Sequence, residues 1–150
     1  MVSGLVSGQS VTGTSGLIHI PSARMLEDGQ LVLGAAYIPK PYFFRYGRIN
    51  NPGLNTYITY GILPFVEIMF RYTHELNVPV NSFTQYFPDR MFSVRFRVLS
   101  EKKFTPSIVF GIHDFGKIFT DFDSATNYST SYFVISKIKD FNLIKLDLSF

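Results

Sequence analysis

Residues 89–115 read DRMFSVRFRVLSEKKFTPSIVFGIHDF. Phe92, Val94, Phe96 and Val98 fall on one side of an extended chain, and Ser93, Arg95 and Arg97 on the other. That period of two is the signature of a β-strand, whose successive side chains point to opposite faces. Ser100, Glu101, Lys102 and Lys103 form a polar turn. A second strand follows, with Ile108, Phe110 and Ile112 on one face and Ser107, Gly111 and His113 on the other. The hairpin poses the question that governs the protein: does its apolar face look at a core or at lipid?

Composition narrows the answer. Charged residues make up 17% of the 150 residues, below the roughly 25% usual in soluble domains. Phe and Tyr are abundant, at 16 and 9, and apolar residues are too frequent for a disordered protein. No run approaches the roughly 18 consecutive apolar residues of a membrane-spanning helix. The net charge of +3 comes from basic residues spread along the sequence, which gives no nucleic-acid footprint. The absence of cysteine excludes disulfides and thiolate metal sites.

Taken in order, residues 1–10 read as a remnant of a signal peptide or an N-terminal tail. Residues 11–150 read as one β-barrel domain. Residues 11–20 end strand-like, and Pro21 stops them, since proline has no N–H for a ladder. Further strands are expected at 30–38, 56–62, 66–73, the two halves of the hairpin, 128–137 and 143–150. In the strand at 30–38, Gly34, Ala35 and Ala36 leave the two faces undecided. In 132–135 both faces are apolar.

The connections alternate between short and long, which places all long loops at one end of an antiparallel sheet. Outer-membrane barrels have that form, with short periplasmic turns and longer external loops. Strands of about 9–11 residues span a bilayer when tilted, and a closed barrel satisfies every backbone group in lipid. Tyr37, Tyr72, Phe92, Tyr128 and Phe150 lie near strand ends, where interface girdles form. The expectation is an all-β, antiparallel up-and-down transmembrane β-barrel of about eight strands in a bacterial outer membrane. The last strand would run outward with no return, so the sequence is either a fragment of a larger barrel or closes through residues 11–20. The rival is a soluble lipocalin-like barrel that turns the same apolar face inward around an apolar ligand.

The blocks IPSARMLEDGQLVLG, LPFVEIMFRYT, PDRMFSVRFRVLSEKKFTPSIVFGIHDFG and YFVISK resemble the YjbH-like outer-membrane proteins. The resemblance covers residues 20–137 in the family's order. It implies an outer-membrane β-barrel linked to exopolysaccharide or capsule production. It does not imply an enzyme and carries over no catalytic residue; the expected role is channel, scaffold or assembly component. Its implied partners are membrane lipid, surface polysaccharide and other envelope polysaccharide-export proteins.

Two sets of residues are candidates for binding. The polar faces of the strands give Glu67, Arg71, Arg95, Arg97, His113, Lys145 and Asp147. In a barrel these point into the lumen, where opposite charges pair, since about eight strands leave room only for side chains. The loop KPYFFRYGR interleaves Lys40, Arg45 and Arg48 with Tyr42, Phe43, Phe44 and Tyr46. Rings can stack on sugar faces and cations can meet acidic groups, but lipid headgroups suit the same residues. Other patterns are weak. Asp114, Asp121 and Asp123 lack the spacing of a calcium loop. His19, His74 and His113 lie too far apart in sequence for a zinc motif. Ser22 lacks the G-x-S-x-G setting of a hydrolase, no nucleophile–base pair is legible for a barrel-bound lipid-modifying enzyme, and no cofactor motif is present.

Overall fold

The computed structural model describes residues 8–16, 18, 20–42, 51–77, 89–114, 129–141 and 144–149. Seven strands form one sheet: β1 Leu31–Ile38, β2 Gly53–Leu63, β3 Val66–Glu75, β4 Asp89–Leu99, β5 Ser107–His113, β6 Thr130–Phe141 and β7 Ile144–Ser149. Each pairs antiparallel with its neighbour in sequence, in the order β1 to β7. The up-and-down meander expected from the alternation is therefore present. Closure is not: among the described residues, β1 and β7 have one partner strand each.

The connections also alternate as expected. The strand ends at Ile38 and Gly53, Glu75 and Asp89, and His113 and Thr130 fall at one end of the sheet, and those at Leu63 and Val66, Leu99 and Ser107, and Phe141 and Ile144 at the other. Asn77 and Asp114 adopt φ of 60° and 59° as the backbone leaves β3 and β5. Asn and Asp tolerate this left-handed region better than other non-glycine residues. Register shifts between Gly61 and Leu63 and between Arg97 and Leu99 sit beside the short turns, where bulges commonly bend a sheet rim.

Residues 11–20 correct the sequence reading. They are not an eighth strand. Residues 8–26 form a folded strap that crosses the polar face of the sheet, with residues 17 and 19 outside the described set. The strap satisfies its own backbone by turns. Ser10 N–H donates to Thr14 O at 2.8 Å, Gly16 N–H to Gly8 O at 2.9 Å, and Ser22 N–H to Ser15 O at 3.0 Å. Isolated bridges join Gln9 to Ser15 and Gly16 to Pro21. Gly13 has φ of 94°, a conformation that glycine adopts without steric cost. These turns stop residues 11–20 from extending along an edge.

Strand bounds shift elsewhere. β2 begins at Gly53, ahead of the strand expected from residue 56, and β6 runs to Phe141, past the end expected at residue 137.

The two faces of the sheet have opposite fates. Glu67, Met69, Thr59, Ser93, Arg95 and Val109 are buried on the face beneath the strap. A small apolar core forms there from Ala23, Met25, Val109 and Val134, with Tyr132 packed against it. The other face is exposed: Leu33 at 70%, Ile58 at 40%, Phe70 at 41%, Phe96 at 40% and Phe133 at 68%. The ambiguous stretches now separate. In β1, Leu31, Leu33, Ala35 and Tyr37 are exposed, and the alternate residues are half-buried. In β6, Val134 packs on the strap while Phe133 and Ile135 are exposed.

Candidate functional site

The polar face is best understood through what it holds. β3 and β4 set Glu67 directly opposite Arg95, and their side chains meet at 2.7 Å with exposures of 0% and 1%. A buried ion pair needs its remaining lone pairs and protons satisfied, or desolvation outweighs the attraction. The strap supplies those partners. Leu26 N–H donates to Glu67 Oε2 at 2.8 Å, and the Ser15 hydroxyl donates to the same oxygen at 3.3 Å. Arg95 donates from Nη1 to Ser15 O at 3.5 Å and from Nη2 to Ser22 O.

Smaller polar side chains extend the pattern across five strands. Asn55 Nδ2 donates to Val11 O at 2.9 Å, and Thr59 Oγ1 to Gly13 O at 2.7 Å. Ser107 Oγ donates to Ala23 O at 3.1 Å, while Ser136 Oγ accepts from Ala23 N–H at 2.8 Å. Asn55 is itself oriented by Thr73, whose hydroxyl donates to its Oδ1 at 2.7 Å. The sheet thus grips mostly backbone groups of the strap. Within the strap, Ser10, Thr12 and Thr14 share hydroxyl contacts of 2.6–3.2 Å with one another.

Two tyrosines make room on the floor of this face. Tyr57 stands opposite Gly34, and Tyr132 opposite Gly111. Each ring leans over its glycine: a Cβ at Gly34 would come within 2.3 Å of Tyr57, and one at Gly111 within 2.3 Å of Tyr132. Glycine in a strand interior often marks such a close approach. Gly13 of the strap lies against the base of the Tyr57 ring, where a Cβ would meet Cγ at 2.6 Å.

Ser93 and His113 also stand opposite each other, with Ser93 Oγ 2.8 Å from His113 Nδ1. The sequence alone does not reveal this nucleophile–base contact. Ser93 is fully buried, and a nucleophile must meet its substrate. The contact instead holds the imidazole against Tyr132, with ring centroids 4.7 Å apart.

The expected lumen set is partly assembled. The register puts Glu67, Arg71, Arg95 and His113 on the strap side. Arg97 shares that side by register, but its Nη1 donates to Pro64 O at 3.0 Å at the short-turn end. Lys145 and Asp147 lie in β7, opposite Asp140 and Ile138, and their side chains are outside the described residues. Of the loop set, Lys40 and Tyr42 are exposed in a single 3₁₀ turn. Phe43, Phe44, Arg45, Tyr46 and Arg48 lie outside the described residues, as do His19, Asp121, Asp123, Tyr128 and Phe150. Among the described residues no cluster of His, Asp and Glu is arranged to hold a metal ion.

Residues 8–149 match the YjbH family, described as exopolysaccharide biosynthesis protein YbjH. The protein belongs to the YjbH family. No curated protein and no solved structure matches it. The YjbH match begins at the strap and runs through β7, so it takes in both strap and sheet. Asn55, Thr59, Ser107 and Ser136 do not stand out in the sequence. Their only signal is a run of small polar residues on the side of the strands opposite Phe and Ile.

Proposed function

We propose that this YjbH-family protein forms part of an outer-membrane β-barrel that serves exopolysaccharide or capsule production. It acts there as channel, scaffold or assembly component rather than as a catalyst. The observation that carries this reading is the inverted sheet. A soluble sheet buries its apolar face and leaves its polar face in water. Here the charged and hydroxylated face is covered by the strap, and the Phe, Ile, Val and Leu face is exposed. Exposed apolar areas beyond a few hundred Å² mark membrane or protein interaction sites.

The ends of the sheet fit the same reading. By register, Arg90 lies on the apolar face near one end, and Lys137 and Lys139 toward the other. Arg90 sits 5.9 Å from the centre of the Tyr72 ring, and Tyr37 is exposed at the same end. Aromatic and basic side chains favour the headgroup level. The strands β2, β3, β4 and β6, of 10–12 residues, match the length of tilted spanning strands. A lipocalin-like protein needs the opposite arrangement, with the apolar face enclosing the ligand. Closure of the barrel requires that β1 and β7 gain partners.

Envelope fractionation tests the location. The protein is expected with the outer membrane, released by detergent. Recovery from the soluble periplasm without detergent overturns the reading. Planar-bilayer conductance then separates the roles: discrete openings support a channel, and their absence from inserted protein leaves a scaffold.

A further inference from the structure

The strap lies in a trough whose chemistry is not particular to the strap. Beneath residues 9–22, Asn55, Thr59 and Arg95 donate to strap carbonyls, and Glu67 accepts from the Ser15 hydroxyl. These four groups could meet the hydroxyls and ring oxygens of a polymer in place of the strap. The floor there holds Tyr57, covered by Gly13. Removing Gly13 would bare the base of the Tyr57 ring. Aromatic faces beside convergent hydrogen-bonding groups suit the C–H faces and hydroxyls of sugar rings.

The strap is also unevenly anchored. Residues 23–26 carry its apolar contacts, with Ala23 and Met25 against Val109 and Val134. Residues 9–15 meet β2 to β4 through hydroxyls, glycines and backbone groups. A polar contact exchanges with water or another hydroxylated partner at small net cost, because folding merely trades one set of hydrogen bonds for another. An apolar one does not.

We infer that residues 9–22 occupy in cis a glycan-binding trough on the polar face of the sheet, hinged at 23–26 and displaced when a polysaccharide binds. The inference rests on the exopolysaccharide reading above and names the surface through which it would act.

Two substitutions, both in the strap, unseat it and leave every trough residue in place. Gly13→Val wedges against the Tyr57 ring, and Gly16→Val breaks the strap's own turn, where a Cβ would crowd Ile20 O and Pro21. Each is made with Ser15→Cys in the 150-residue, otherwise cysteine-free sequence, purified in detergent, and checked for β-structure by circular dichroism. Maleimide labelling of the Ser15→Cys thiol reports displacement. Tyrosine fluorescence, clean because the sequence has no Trp, reports binding of maltohexaose, cellohexaose and hexagalacturonate.

The expected result is at least tenfold faster labelling and tenfold tighter binding of one probe in the wedge variants. Adding Tyr57→Ala to the Gly16→Val variant, whose clash does not involve that ring, should remove the gain in binding and leave the labelling fast. Continued protection of the thiol in both wedge variants overturns the inference, since the strap is then a fixed part of the fold. Fast labelling with no probe bound, or equal binding with and without the wedge, overturns it as well. Outer-membrane protein that fails these tests leaves the membrane reading intact. Soluble protein that passes them removes the membrane reading and keeps the trough.

Discussion

Glu67 and Arg95 face each other across β3 and β4 at 2.7 Å, both shielded from solvent, and the strap completes their coordination. The pair joins two levels of the structure. It links neighbouring strands, and it ties them to a segment 41–80 residues away in sequence.

Removing one partner should therefore cost more than removing a surface charge. Glu67→Ala leaves Arg95 buried without its counter-ion and Leu26 N–H without its acceptor. A loss of about 3–5 kcal/mol is expected, read from urea unfolding in detergent. Glu67→Ala combined with Arg95→Met should cost less than the sum of the single changes, because coupled residues are not additive.

Ser136→Ala tests the grip on the hinge. It strands Ala23 N–H in a buried site, at an expected cost of about 1–3 kcal/mol. Limited proteolysis should cut the strap faster, while the strands keep their protection.

The glycine–tyrosine pairs make a packing prediction. Gly111→Val forces a side chain into the Tyr132 ring, and overpacking of this kind costs about 1–3 kcal/mol. A double-mutant cycle with Tyr132→Ala should show coupling, since the smaller residue gives the valine space. Full additivity would mean that the ring already has room to move.

The apolar face offers the most direct test of lipid exposure. Phe96→Arg places a charge among Val66, Phe110 and their neighbours. In a bilayer that costs about 2–4 kcal/mol near the midplane, and insertion into lipid vesicles should fall accordingly. Phe104→Arg in the β4–β5 turn, where Phe104 is 87% exposed, should stay within about 0.5 kcal/mol of the parent. Equal behaviour of the two variants would place the apolar face in water.

Much of the sheet is legible in the sequence because strand alternation is a local signal. Phe92 to Val98 and Ile108 to Ile112 declare their faces within a few residues, and loop lengths declare the meander. The expected eighth strand fails because a strand and a folded strap share the same local cues. Residues 11–20 contain β-branched and apolar positions, but Gly13, Gly16 and Pro21 turn the backbone back on itself. For the site, Glu67, Arg71, Arg95 and His113 are visible as polar positions in apolar strands. Asn55, Thr59, Ser107 and Ser136 are not, since small polar residues on a strand have no distinctive pattern until something lies across them.

The sequence by itself determined the antiparallel strands, their alternating connections and the separation into a polar and an apolar face. These follow from side-chain period and turn chemistry, both encoded over a few neighbouring residues. Only the tertiary structure decided that the polar face is the buried one, that Glu67 and Arg95 pair, and that residues 8–26 cover them. Those facts depend on contacts between segments distant in sequence, where hydrogen bonds from five strands converge on one strap and no local pattern records the meeting.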